Sequence, residues 1–85
     1  MRLFTYTVSD PNGIHARTAG LFSEEAVKFH CAVELALDGR KANAKRLLDI
    51  MSLHAKTGDT LTVTCEGPEE AQAAAALEAD IHRYF

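Results

Sequence analysis

Long hydrophobic runs are missing from this sequence. No stretch of ten residues is free of Asp, Glu, Lys and Arg, whereas a membrane-spanning helix needs about 20 mostly apolar residues and a secretory signal needs an apolar core. We therefore expect neither membrane insertion nor secretion, and a cytoplasmic location. An excess of basic residues is also missing, because nine Lys and Arg stand against twelve Asp and Glu, for a net charge of −3. That sign argues against nucleic acid as a partner.

Cysteine and clustered histidine are scarce as well. The two cysteines, Cys31 and Cys65, form neither a C-x-x-C pair nor a disulfide framework, and we expect two reduced, mostly buried thiols. The histidines lack the spacing that zinc sites use; they are His15, His30, His54 and His82. We expect no bound metal and no cofactor.

The composition that remains is that of an ordinary globular protein, with 47% apolar and 25% charged residues. The 85 residues suffice for one small core, so we expect a single domain over residues 1–85. No repeat, linker or low-complexity tract divides the chain.

Two periodicities predict the first elements. Residues 3–8 are rich in Thr, Tyr, Phe and Leu and are followed by the breakers Pro11-Asn12-Gly13, which predicts a strand and a loop. Apolar residues then recur at helical spacing and predict a first helix over residues 16–29. Four polar residues of this helix are expected to point largely toward water: Ser23, Glu24, Glu25 and Lys28.

The rest of the chain alternates strands and helices. Residues 33–37 alternate and lead through Asp38-Gly39 into residues 40–43, which predicts a hairpin. A short second helix is expected over residues 45–53, a fourth strand over residues 61–65, and a last helix from Pro68 to near Phe85. This order predicts an α+β fold, an open-faced sandwich in which three helices cover one face of a four-stranded antiparallel sheet.

The clearest chemical signal lies in one segment, Asn12-Gly13-Ile14-His15-Ala16-Arg17. A helix that starts here presents unpaired backbone N–H groups and the positive end of its dipole to an anion such as phosphate. Arg17 adds a charged fork that can pair with phosphate oxygens, and Gly13 permits a backbone conformation closed to other residues. The same residues also fit a histidine that merely caps the helix, with an incidental arginine beside it.

Together with later positions, this segment resembles a known family. The resemblance rests on Gly13, His15, Ala16 and Arg17, then on Lys45, Met51-Ser52-Leu53 and Gly58 before a Thr-rich strand. In these positions the sequence resembles the HPr family, the histidine-containing phosphocarriers of the bacterial sugar phosphotransferase system. The resemblance spans essentially the whole chain. It implies a βαββαβα fold and a phosphoryl carrier, not a turnover enzyme, that accepts a phosphoryl group from enzyme I and passes it to IIA proteins.

The resemblance also implies roles for particular residues. His15 would be the catalytic nucleophile, assisted by Arg17, and the helix start at Ala16, Arg17 and Thr18 would stabilise the phosphoryl group. Partner docking would involve four residues: Asn12, Leu47, Leu48 and Met51. Core packing remains the alternative for one of the apolar three. A carrier that shows one face to several partners in turn is expected to be a monomer.

The chain departs from the family's usual pattern at several positions. Thr18 stands where proline is usual, and Arg46 stands where many members carry a regulatory serine, so serine-linked control is not expected here. Glu24 and Val27 occupy positions at which relatives often place basic residues. We expect altered transfer or partner affinity, without loss of the phosphoryl acceptor.

The main alternative to a phosphocarrier is a regulatory interaction module that keeps the fold and binds partners without carrying phosphate as its main role. An RNA-binding fold is disfavoured because no strand carries the aromatic pairs that stack bases. A hydrolase built from His15, Ser9 and Asp10 is disfavoured because a small open sheet excludes water poorly.

Overall fold

The computed structural model describes residues Met1–Phe85, and its elements follow the predicted order. The strands are β1 (Arg2–Thr7), β2 (Ala32–Leu37), β3 (Arg40–Asn43) and β4 (Thr60–Glu66). The helices are α1 (Ala16–Ala26), α2 (Leu47–Ser52) and α3 (Glu70–Asp80), and a 3-10 turn follows α3 at Ile81–Arg83. No helix has both the length and the apolar character that crossing a bilayer would require.

The sheet is antiparallel throughout, with the strand order β1-β4-β2-β3. Val63 of β4 lies opposite Phe4 on one side and Leu35 on the other, and all three side chains are buried on the face toward the helices. On that face α3 packs against β1 and β4, while α1 packs against α2 and α3. The predicted α+β open-faced sandwich is therefore confirmed.

The connection between β2 and β3 is a tight two-residue turn. Asp38 and Gly39 both have positive φ, at 51° and 81°. Two consecutive residues of this kind make the type I′ turn, whose twist matches that of the flanking strands. The hairpin predicted from Asp38-Gly39 is thus present, with Leu37 paired to Arg40.

Helix α1 is shorter than predicted, because it ends at Ala26 and not at residue 29. Beyond Ala26, the carbonyl of Phe29 accepts a hydrogen bond from Nζ of Lys45 at 2.8 Å, and the amide of His30 donates to the carboxylate of Glu69 at 2.7 Å. The amides of Lys28 and Phe29 bond only three residues back, to the carbonyls of Glu25 and Ala26, so the chain tightens into turns after the helix. The contacts with Lys45 and Glu69 follow these turns on the way to β2. Phe29 nevertheless still packs against the core.

One residue of α1 differs from its predicted orientation. Ser23 is buried, although the helical pattern placed it toward water. Its hydroxyl donates a hydrogen bond to the carbonyl of Gly20 at 2.9 Å. Because the hydroxyl has a partner within the helix, its burial leaves no unsatisfied polar group.

The other two helices also have different ends from those predicted. Helix α2 starts at Leu47, two residues late, because Asn43 organises a turn in which its side chain accepts the amide of Lys45 and its carbonyl accepts the amide of Arg46. Helix α3 ends at Asp80 and tightens into the 3-10 turn. This tightening accompanies the burial of Phe85, whose ring lies 5.0 Å from that of Phe22 in α1.

The two cysteines are free and buried, as predicted. Burial raises the pKa of the Cys65 thiol to about 11, and burial likewise raises the pKa of Cys31. Both side chains therefore behave as small apolar groups of the core at neutral pH.

Candidate functional site

His15 lies at the N-terminus of α1 as its N-cap residue, with an extended backbone (φ −129°, ψ 172°). The first helical hydrogen bond runs from the amide of Ala19 to the carbonyl of His15. The amides of Ala16, Arg17 and Thr18 consequently have no acceptor within the protein. With 39% of its side chain exposed, the imidazole is open to a partner molecule. A helix start of this kind favours a bound anion.

The loop before His15 is held by its backbone. The amides of Ser9 and Asp10 both donate to the backbone oxygen of Phe85, at 2.7 and 2.8 Å. The amide of Ile14 donates to the carbonyl of Ala55 at 3.1 Å, and the hydroxyl of Thr57 donates to the carbonyl of Asp10. The loop therefore rests on the α2–β4 connection and on the end of the chain, which fixes the start of α1 without covering it.

Gly13 is required at its position in this loop. Its φ is +67°, and a Cβ atom built there would lie 2.7 Å from the carbonyl oxygen of Ala55. This is the same oxygen that accepts the amide of Ile14. The absence of a side chain at Gly13 thus permits the contact that anchors the loop.

Asp10 contacts His15, an arrangement that sequence reasoning raised only within the disfavoured hydrolase. Its Oδ2 lies 3.5 Å from Nε2 of the imidazole, while its Oδ1 accepts the amide of Asn12 at 2.9 Å. The sequence Asp-Pro-Asn-Gly signals a turn, and an aspartate commonly caps such a turn. That signal could have identified the Asp10–Asn12 hydrogen bond, but not the direction of the second carboxylate oxygen.

Arg17 and Thr18 differ in what their side chains do. Arg17 is exposed and forms no ion pair with any acidic residue, so its guanidinium is available to an anion. Thr18 is half-buried, and its hydroxyl donates to the carbonyl of His15 at 3.2 Å. The Thr18 hydroxyl is therefore engaged within the helix, and only its amide is free for a ligand at the helix start.

The residues predicted to dock partners are unequally exposed. Leu48 is 79% exposed and Leu47 is 37% exposed, whereas Met51 is half-buried against the core. Asn12 is exposed in the loop before His15. Helix α1, which packs against α2, exposes a third leucine, Leu21, at 41%.

The helices that expose Leu21, Leu47 and Leu48 also carry two unpaired charges. Glu24, on α1, is exposed and forms neither an ion pair nor a hydrogen bond within the chain. Arg46, the N-cap residue of α2, is likewise exposed and unpaired. Both charges are therefore free to meet a partner.

The two cavities of the structure lie away from His15. The larger, of about 390 Å³, opens at the edge between β2 and β3 and is lined by Cys31, Lys41 and Lys45 among others. The smaller lies on the open face of the sheet beside Thr64. Nowhere do three metal-ligating side chains come together. Neither cavity includes His15 among its lining residues, so the imidazole lies at an open surface.

Comparison with known proteins agrees with this geometry. A family model described as the phosphorylation site of the PTS HPr component matches residues 3–83. The phosphocarrier protein HPr of Mycoplasma genitalium is 36% identical over 84 residues, which are 98% of this chain and 96% of the relative. A crystal structure of HPr from Thermoanaerobacter tengcongensis superposes with a TM-score of 0.91 at 35% identity, covering 100% of this chain and 96% of the other.

A regulatory relative is similar too. The crystal structure of Crh, a catabolite repression protein of Bacillus subtilis described as a dimer with a swapped domain, has a TM-score of 0.78 at 36% identity and covers 99% of this chain and 97% of the other. Phosphocarriers and this relative therefore share the fold. From the match to the family model and the identity with phosphocarrier proteins, the chain belongs to the HPr family of the phosphotransferase system.

Proposed function

We propose that the chain carries a phosphoryl group on His15, received from phospho-enzyme I and passed on to IIA proteins during sugar uptake. The observation that carries this proposal is the position of an exposed imidazole beside three backbone amides that have no partner within the protein. Such amides are arranged for an anion that arrives from outside. Membership of the HPr family supports the same assignment.

Transfer requires one bond to form and one to break. A ring nitrogen of His15 attacks phosphorus with its lone pair, while the bond from phosphorus to the donor atom on enzyme I breaks and its electrons stay on the donor. The amides of Ala16, Arg17 and Thr18, together with the Arg17 guanidinium, stabilise the charge on the phosphoryl oxygens. The reverse sequence delivers the group to a IIA protein, so the chain ends each cycle unchanged, as a carrier.

Partners dock on the exposed leucines Leu21, Leu47 and Leu48, together with Asn12 and Met51. Three exposed leucines beside a charged, transferable group suit a surface that several proteins recognise in turn. The unpaired Glu24 favours an enzyme I with a complementary basic residue opposite it. Such a carrier works in the cytoplasm, where its partners are.

A regulatory interaction module is the second candidate, and the similarity to Crh favours it. Arg46 offers no hydroxyl for serine-type phosphorylation, and both His15 and Arg17 are present, so the carrier role agrees better with the residues of this chain. We propose a monomer, because exchange among partners needs a free face. Sedimentation of the chain at high concentration tests this against the swapped dimer described for Crh.

Intact-mass spectrometry at neutral to alkaline pH tests the carrier role. After incubation with phosphoenolpyruvate and enzyme I, we expect one acid-labile phosphate on the wild type and none on H15A. The control H82A alters an exposed histidine of the 3-10 turn and should be labelled normally. The free energy of unfolding of H15A should lie within about 1 kcal/mol of that of the wild type, because the side chain is only partly buried. A folded wild-type chain that gains no phosphate from its cognate enzyme I would favour the regulatory module.

A further inference from the structure

The carboxylate of Asp10 is fixed in the position from which it contacts His15. Its Oδ1 is held by the amide of Asn12, at 2.9 Å, and its Oδ2 lies 3.5 Å from Nε2 of the imidazole, within ion-pair distance. The backbone of Asp10 is fixed as well. Its amide donates to the backbone oxygen of Phe85, and its carbonyl accepts hydrogen bonds from the amide of Gly13 and the hydroxyl of Thr57. Because these hydrogen bonds already hold the carboxylate in place, little further conformational entropy is lost when it interacts with His15.

The charge of this contact determines which ring nitrogen carries the proton. An ionised carboxylate can only accept hydrogen bonds, and a neutral imidazole has one N–H donor and one acceptor nitrogen. Oδ2 of Asp10 lies 3.5 Å from Nε2, which is too long for a strong hydrogen bond, but its negative charge at that distance favours the tautomer with hydrogen on Nε2. No other acidic side chain lies within ion-pair distance of His15.

We propose that Asp10 is a positioning residue for the phosphoryl acceptor: it holds the proton of His15 on Nε2 and so presents the lone pair of Nδ1 to phosphorus. This inference rests on the proposed carrier function. The Nδ1–P bond forms as the bond from phosphorus to the donor breaks, and the Nε2 proton stays between the ring and Asp10 throughout. The phosphorylated ring is then a cation at Nε2, and the adjacent carboxylate stabilises that charge.

The substitution D10N reverses this contact with little change of shape. Its side-chain oxygen keeps the hydrogen bond from the amide of Asn12, so its NH₂ group takes the place of Oδ2. An NH₂ group donates and cannot accept, so Nε2 must become the acceptor and the ring proton must move to Nδ1. The matched control D38N makes the same charge change on the β2–β3 turn, where Asn tolerates the positive φ of 51°.

Nitrogen-15 NMR of the imidazole reports the tautomer without any phosphoryl donor. We expect hydrogen on Nε2 in the wild type and D38N, and on Nδ1 in D10N, at a pH where the ring is neutral. Identical ring spectra for wild type and D10N would overturn the proposal. Thermal melts of the three proteins show whether each is folded. If D10N is unstable, D10A replaces it in the test: its side chain neither accepts nor donates a hydrogen bond, so we expect a mixture of the two tautomers.

Phosphoryl acceptance supplies the second readout. We expect kcat for phosphorylation by enzyme I to fall roughly tenfold to hundredfold in D10N, with KM unchanged because the docking leucines are untouched. Phosphorus-31 NMR should find the phosphoryl group on Nδ1 in the wild type. An altered tautomer with an unchanged kcat would overturn the positioning role. A wild type that is never phosphorylated would refute the proposed function, while the nitrogen spectra would still decide whether Asp10 sets the tautomer.

Discussion

Replacing Gly13 with alanine should loosen the loop that positions His15. An alanine at φ +67° costs about 1 kcal/mol by itself. Its Cβ would lie 2.7 Å from the carbonyl oxygen of Ala55 and 3.1 Å from the Cα of Lys56, and both atoms belong to backbone that cannot rotate away. Relief of this contact separates Ile14 from Ala55 and loses their hydrogen bond, worth about 1 kcal/mol more. We expect a total loss of about 2–3 kcal/mol.

A second glycine separates the two contributions. Gly39 also has positive φ, +81°, but an added Cβ there meets nothing within 4 Å. G39A should therefore cost only about 1 kcal/mol, a fall in Tm of about 4–8 °C for a domain of this size. G13A should lower Tm by about 10–20 °C and slow phosphorylation by enzyme I, since the start of α1 moves with the loop. Equal Tm values for G13A and G39A would refute the claim that contact with Ala55 makes Gly13 necessary.

Two further substitutions test the docking surface and the packing of α1. L48A should change the free energy of unfolding by no more than about 0.5 kcal/mol but lower kcat/KM with enzyme I, because Leu48 is exposed. I50A, in the same helix but buried, should lower the free energy of unfolding by about 2–5 kcal/mol. An unchanged kcat/KM in L48A would contradict the docking role. Burial, and then the carboxylate of Asp80, raise the pKa of Glu25 above its usual value of 4.5, so the folded chain binds this proton more tightly than the unfolded chain. The stability that this proton contributes is therefore lost as the pH rises from 4.5 through the raised pKa of the folded chain. The glutamine of E25Q stays neutral and keeps an acceptor for the hydroxyl of Tyr84, so urea melts should show a smaller loss of stability between pH 4.5 and pH 7 than in the wild type. Equal losses in the two proteins would refute the raised pKa of Glu25 as the cause.

Periodicity predicts the elements of this fold, but contacts between segments set where the helices end. The hydrophobic stripe of α1 continues to Phe29, but the helix ends at Ala26, where the chain tightens into turns and then bonds to Lys45 and Glu69 of distant segments. The type I′ turn at Asp38-Gly39 was predictable because its signal lies in two adjacent residues. Local signals are thus readable from sequence, whereas signals split between distant segments are not.

The same distinction applies to the candidate site. A histidine that follows a glycine turn and precedes a helical pattern is predictably at a helix start, which is where His15 lies. That Phe85 supplies the acceptor for the amides of Ser9 and Asp10 follows only from the folded chain. The direction of the Asp10 carboxylate toward Nε2 depends on this anchoring, so it could not be predicted from the sequence.

An exposed site gains its rigidity here from backbone hydrogen bonds, not from burial of its side chains. The loop is held by the backbone oxygens of Ala55 and Phe85 and by the hydroxyl of Thr57, and the imidazole and the free amides of α1 stay accessible. Because none of these anchors involves the exposed side chains of α1 and α2, those side chains can change at little cost to the fold. Glu24 and Arg46, two departures from the family's usual residues, are both exposed and unpaired, so we propose that they affect the choice of partner and leave the geometry around His15 unchanged.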